Sequence, residues 1–107
     1  MSTEFAVRHD EDTRVFETSM DGHRGILTYL LEDVRGIPVM TIDHTGVPVA
    51  ARGRGMAGAL VAAAFDTARR RGWRVRPSCS YAAVWAGRHP EVGDLLALAA
   101  GAADNDA

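Results

Sequence analysis

The chain has 107 residues, of which 47% are hydrophobic and 24% charged, and its formal net charge is −2. That length sets one domain with a modest core, and the composition is that of a globular protein rather than a disordered or fibrous one. No apolar run reaches the length of a membrane span, the start Met1-Ser2-Thr3-Glu4 lacks the pattern of a signal peptide, and one cysteine excludes an internal disulfide, so a cytoplasmic protein is expected.

The N-terminal third reads as antiparallel strands. Residues 5–9 form a short first strand and residues 14–20 a second, with Val15 and Phe16 as its apolar pair. Asp21-Gly22 is a hairpin turn, because both positions tolerate positive φ. Residues 26–32 are a near-continuous apolar run, and Val34-Arg35-Gly36 turns the chain into a strand over 37–45. On that strand Met40, Ile42 and His44 point one way and Val39 and Thr41 the other. Gly46 and Pro48 interrupt it, which predicts a bulge or splay there.

Residues 56–71 form the strongest helix. Leu60, Ala64 and Ala68 recur at four-residue steps beside Val61 and Phe65, and Gly72 is the C-cap. A short strand over 73–76 ends at Pro77. Ser78 or Ser80 caps a second helix over 81–89, Pro90 stops it, and residues 91–100 form a last short helix. The fold class is therefore a mixed α/β layer with a parallel crossover, a domain over 1–101 and a frayed polar tail over 102–107.

Charge is unevenly spread. Residues 52–76 hold seven arginines (52, 54, 69, 70, 71, 74 and 76) against the single acid Asp66, whereas residues 1–51 hold nine acids against four arginines, and lysine is absent. Arg69-Arg70-Arg71 reads as a solvated last turn that complements the helix dipole. At the other end of the helix, Arg52-Gly53-Arg54-Gly55-Met56-Ala57 joins an extended segment to the first helical turn. Glycine lets that backbone turn sharply and approach a ligand, and the first helical amides lack internal partners. A phosphate docked there satisfies both, with two arginines as charged donors. A P-loop reading fails for want of lysine. Gly53-x-Gly55-x-x-Gly58 has the spacing of a dinucleotide fingerprint, but the next strand has no acid for a ribose. Close helix–sheet packing alone would explain the glycines and leave the two arginines without a role.

The run Arg52-Gly53-Arg54-Gly55-Met56-Ala57 resembles the Arg/Gln-x-x-Gly-x-Gly/Ala signature of the GNAT superfamily of acyl-CoA-dependent N-acetyltransferases. His44-Thr45-Gly46-Val47-Pro48, Pro77-Ser78-Cys79-Ser80-Tyr81 and Arg88-His89-Pro90-Glu91 resemble its compact single-domain branch, so that the strongest likeness covers residues 44–91. The resemblance implies that strands 37–45 and 73–76 splay apart. It implies that the pantetheine arm of acetyl-CoA, or of another acyl-CoA, pairs with backbone near Val47. The pyrophosphate would lie on the amides from Gly53 to Ala57, and an amine that the sequence does not name would attack the thioester. Compact relatives carry an acid after the His-Thr pair, where this chain has Gly46. Full-length members place two helices between their first two strands, where the Asp21-Gly22 hairpin leaves no room. The acceptor side is then open, completed by a second copy or a protein partner, or inactive.

Three further residues stand around the implied splay. Tyr81 is the nearest match to the tyrosine with which such enzymes protonate the departing CoA thiolate; the plain alternative is a core-facing ring. Cys79, at a helix start where amides favour a thiolate, either captures the acyl group transiently or is a small buried thiol beside Pro77. His44 is either a hydrogen-bonded strand histidine or a base, since imidazoles exchange protons near neutrality. Backbone amides over 44–47 would stabilise the oxyanion. His9-Asp10-Glu11-Asp12 reads as a solvated acidic turn, and no metal is assigned. Two alternatives stand beside the enzyme: a non-catalytic acyl-CoA binding or sensing module, and an arginine-rich nucleic-acid-binding domain. The net acidic charge and the absence of a reader motif weigh against nucleic acid.

Overall fold

Two hairpin turns set the strand lengths. Asp21-Gly22 and Arg35-Gly36 both hold positive φ at their paired central positions, 53° and 80° in the first and 55° and 86° in the second. That geometry matches the twist of the flanking strands. The computed structural model describes residues 5–97. It contains β1 (Arg8–Asp10), β2 (Val15–Met20), β3 (His23–Val34), β4 (Ile37–Gly46), α1 (Met56–Arg71), β5 (Arg74–Pro77) and α2 (Ser80–Gly87), with 3-10 turns at Val49–Ala51 and Pro90–Leu95. The five strands form one sheet in the order of the sequence, β1 to β4 antiparallel and β5 parallel to β4. This is the mixed α/β layer with a parallel crossover. Among the described residues, no helix is long and apolar enough to cross a membrane.

α1 covers one face of the sheet, and its glycines define its length. Gly55 opens it in the left-handed region and Gly72 closes it there (φ 74°); the Gly72 N–H bonds to the carbonyls of Ala68 and Arg69. Leu60, Val61, Ala64, Phe65 and Ala68 are buried in one cluster with Phe16, Leu27, Met40, Ile42 and Val75 of the sheet. The four-residue spacing read in the sequence is therefore the stripe that faces the core. Gly25 on β3 sits beneath the first turn. A Cβ there would lie 2.6 Å from Met56 Sδ and 3.3 Å from Leu60 Cδ1, so the bare backbone lets α1 rest on the strand.

Several elements differ from the sequence expectation. The β3–β4 register shifts between Thr28 and Tyr29: Thr28 opposes His44 and Tyr29 opposes Ile42, which leaves Asp43 as the extra residue. The bulge therefore falls at Asp43, ahead of Gly46 and Pro48. It carries His44 to the face of Thr28, away from Met40, Ile42 and α1. The first strand begins at Arg8, and His9 belongs to it rather than to a turn. The His9 ring stacks on Phe16 with centroids 4.0 Å apart, and its Nε2 lies 2.7 Å from Tyr29 Oη. Asp10 Oδ1 accepts the amides of Asp12 and Thr13 and closes the turn that follows.

Two more differences lie at the C-terminal end. Cys79, not Ser78 or Ser80, is the N-cap of α2, its Sγ accepting the Ala82 N–H at 3.4 Å. Among the described residues from Pro90 on, the chain makes a 3-10 turn rather than an α-helix. Gly93 weakens the helix, and the free edge of β5 draws the chain into extended form: Leu96 bridges Val75, and the Ala97 N–H bonds to Val75 O at 2.7 Å. The rest of the expected last helix and the tail over 102–107 lie outside the described residues.

Two consequences can be measured. Gly25→Ala is expected to cost about 1–3 kcal/mol, because the added Cβ meets Met56 Sδ at 2.6 Å and forces that buried side chain out of its packing. A lower urea midpoint at unchanged m would show it, and an unchanged midpoint would refute it. Burial holds the His9 imidazole below its ordinary 6.5; Glu11 and Asp10 oppose that shift, and Arg71 and Arg70 reinforce it. The unfolded chain therefore takes up the proton first, and stability present above the unfolded value is lost as pH falls through the folded one. Urea melts at about pH 7.5 and about pH 5 should show that loss, with a smaller loss in His9→Phe.

Candidate active site

The site begins where β4 and β5 part. They pair from Val39–Arg74 to Ile42–Pro77. Pro77 ends the ladder, since proline has no N–H to give. The amides of Ser78 and Cys79 then both bond to Ile42 O, at 2.9 and 3.0 Å, and the chain leaves for α2. β4 continues through residues 43–46 with no strand on that side among the described residues, so its backbone edge is open.

Past β4, the 3-10 turn ends with the Arg52 N–H bonded to Val49 O at 3.2 Å. Gly53 and Gly55 then adopt φ of 81° and 92°, where a side chain would be strained. The first amide of α1 to find a carbonyl is Ala59, which bonds to Gly55 O at 3.0 Å. Among the described residues the amides over 53–58 meet no backbone acceptor, and Gly55 provides no side-chain cap. They collect at the positive end of a 16-residue helix. Residues 44–47, 51–53, 55–57 and Tyr81 enclose a cleft of about 610 Å³ beside them. The donor set suits a phosphate group: several N–H donors, a favourable dipole and no carboxylate in the lining.

The side chains singled out in the sequence are distributed unevenly around this cleft. Arg52 lines it, and its Nε donates to Val47 O at 3.4 Å. Arg54 turns aside and pairs with Asp21 at 3.3 Å, next to Phe5, Val7 and Ala59 rather than in the cleft. Met56 is buried under the sheet, so that residue offers the cleft its backbone. Val47 is half-buried against the core. Tyr81 is 42% exposed and lines the cleft, with its Oη 3.4 Å from where a Cβ on Gly58 would stand. Cys79 is half-buried at the fork between the strands, its Sγ 3.4 Å from Thr45 Oγ1. His44 is exposed on the Thr28 face of the sheet and also lines the cleft, its Nε2 lying 2.8 Å from where a Gly46 Cβ would be.

Gly58 is the residue whose role the sequence reading missed. Its bare Cα lets Tyr81 and Trp85 of α2 lie over the first turn of α1, with Trp85 Nε1 3.7 Å from the same Cβ position. The glycine spacing was the available signal, but nothing local says which helix approaches.

The arginine run is largely matched by acids. Arg69 pairs with Asp94 at 2.9 Å, Arg70 with Asp66 at 3.0 Å, Arg76 with Glu32 at 3.6 Å, and Arg71 with Glu11. The Arg69 hydrogen bonds hold the Asp94 carboxyl below its ordinary value. Exposed pairs of this kind add little stability, but they offset the positive field of the run. Arg52 has no carboxylate partner among the described residues. A larger surface depression, about 770 Å³, lies around the Arg8–Glu17–Arg24 ion pairs and shares no lining residue with the cleft. Among the described residues no three of His, Cys, Asp and Glu gather as a metal site.

Residues 15–95 match the family model described as GCN5-related N-acetyl-transferase. Among solved structures, an acetyltransferase from Trypanosoma brucei is similar in fold, with a TM-score of 0.51 and 18% identity over 73% of this chain and 62% of its own. A ribosomal-protein-alanine N-acetyltransferase from Brucella melitensis biovar Abortus 2308 shares 31% identity over 57% of this chain and 46% of its own, with a TM-score of 0.46. The chain thus spans less than two thirds of either solved structure. No curated protein sequence matches it.

Proposed function

The chain belongs to the GCN5-related N-acetyltransferase family, and on that premise we propose that it binds acetyl-CoA in the cleft and transfers the acetyl group to an amine. One observation carries the reading: unpartnered amides at the start of α1 lie beside a strand whose edge has been freed by the departure of β5. The pyrophosphate of the donor is assigned to the amides over 53–57 with Arg52 alongside. Its pantetheine arm pairs with the open backbone of β4 near Val47, as an added strand would.

The transfer is a direct displacement. The lone pair of a neutral amine attacks the thioester carbon, and backbone amides over 44–47 steady the oxyanion. The C–S bond then breaks, and the Tyr81 hydroxyl gives its proton to the sulfur. The new amide nitrogen sheds one proton to solvent, and Tyr81 regains one. His44, in the lining of the cleft, is the alternative acceptor for the proton that the amide nitrogen sheds. Cys79 offers a second route, because its Sγ sits at the fork beside Thr45. Thiolate attack would give an acyl-cysteine and free CoA, and the amine would then take the acyl group.

Calorimetric titration with CoA tests the cradle. Gly55→Val is expected to abolish measurable binding, since a β-branched residue at that φ is strained and fills the approach to the amides. Arg52→Ala should weaken binding about tenfold, roughly 1.4 kcal/mol. Full-strength binding by Gly55→Val would remove the assignment.

Turnover of acetyl-CoA with a panel of primary amines tests the chemistry. Tyr81→Phe should lower kcat by about 10²-fold with little change in KM for acetyl-CoA. Cys79→Ala should keep its rate under direct transfer and lose it under the acyl-cysteine route, whose adduct intact mass would show. Binding without transfer to any amine would identify a binding or sensing module.

A further inference from the structure

We infer that Gly46 is a positioning residue for the transfer: its bare Cα lets the His44 imidazole lie back along β4 and reach the cleft. The inference rests on the acetyl-transfer reading above, in which His44 is an acceptor for the amine proton.

Two features of β4 bring the ring there. The bulge at Asp43 is the first, and Thr28 Oγ1 pins it by donating to Asp43 Oδ1 at 2.6 Å. Past the bulge, His44 opposes Thr28 and Gly46 opposes Ile26. The two residues therefore share one face of the sheet, turned away from buried Leu27 and α1. Thr45 takes the other face, with its Oγ1 3.4 Å from Cys79 Sγ. The second feature is the empty position at Gly46. His44 Nε2, Cε1 and Cδ2 lie 2.8, 3.5 and 3.6 Å from where a Cβ would stand, so the imidazole fills the space of the missing side chain. His44 and Gly46 both line the cleft as a result.

Gly46 differs from Gly53 and Gly55, whose positive φ serves the backbone. Its own φ lies outside the left-handed region, so alanine fits the chain there without strain. Nε2 is the tip of an exposed side chain with two free torsions. A methyl group at position 46 would therefore displace the ring into water and spare the fold. In the transfer, the attacking nitrogen carries one proton more than the amide keeps. Unprotonated Nε2 takes that proton, and the imidazolium passes it to solvent. Tyr81 protonates the sulfur from the other side of β4, where it lies over the first turn of α1.

The test uses the full chain and Gly46→Ala. In the unsubstituted protein, NMR should show an Overhauser contact between the His44 ring protons and the Gly46 α-protons. In Gly46→Ala the ring resonances should move while the thermal midpoint holds. Calorimetric affinity for CoA should stay within about twofold. Turnover of acetyl-CoA with a primary amine should fall about tenfold or more in kcat, with KM for acetyl-CoA held. In a His44→Gln background the same glycine substitution should change kcat by less than about twofold, because no imidazole remains to displace. A His44 ring remote from Gly46, an equal loss in the His44→Gln background, or a loss traced to CoA affinity would each overturn the proposal. Turnover indifferent to Gly46→Ala would remove this role alone. An unsubstituted chain that binds CoA but acetylates no amine would remove the reaction and the role together.

Discussion

The absence of a side chain at Gly25 fixes where α1 starts. Met56 is the first residue of the helix and is pressed onto that bare strand position, so the helix cannot slide along the sheet without burying a void or a clash. Gly58 plays the same part on the other side, where α2 closes over the helix. The first turn of α1 is thus held between a strand and a helix by two close approaches. Its unpartnered amides cannot drift from the end of β4, and the geometry of the cleft follows from that clamp.

The cleft is consequently lined by backbone donors more than by charged side chains. The arginines that give the sequence its positive half are mostly tied to carboxylates, and Arg54 is held by the β2–β3 turn. What faces the cleft is a row of N–H groups and a helix dipole, with Arg52, Tyr81 and His44 in the lining. A site of this kind depends on glycine at two left-handed positions and tolerates variety at Met56 and Ala57 so long as the helix still packs.

Much of this was legible in the residues. The bounds of α1 followed from Gly55, Gly72 and the spacing of Leu60, Ala64 and Ala68, and the hairpins from Asp21-Gly22 and Arg35-Gly36. The glycine run located the cleft. What escaped was tertiary in origin. The bulge at Asp43 has no local signature, since it arises from how β3 and β4 settle into register, and it alone decides which face His44 takes. The capping role of Cys79 was hidden between two serines with better credentials. His9 looked solvated because its partners, Phe16 and Tyr29, are remote in sequence. Leu96 and Ala97 depart from helix because the edge of β5 competes for their backbone, a preference that propensity does not register.

The placement of the two tryptophans gives the molecule an internal optical gauge. Trp85 stacks between Phe65 (5.4 Å) and His89 (3.7 Å) above the opening turn of α1. Trp73 lies at the opposite end of that helix, 5.4 Å beneath the Arg71 guanidinium. The indoles therefore sample separate environments, one at each pole of a rigid rod. A change confined to the amino pole would therefore alter Trp85 emission and leave Trp73 as a reference within the same chain.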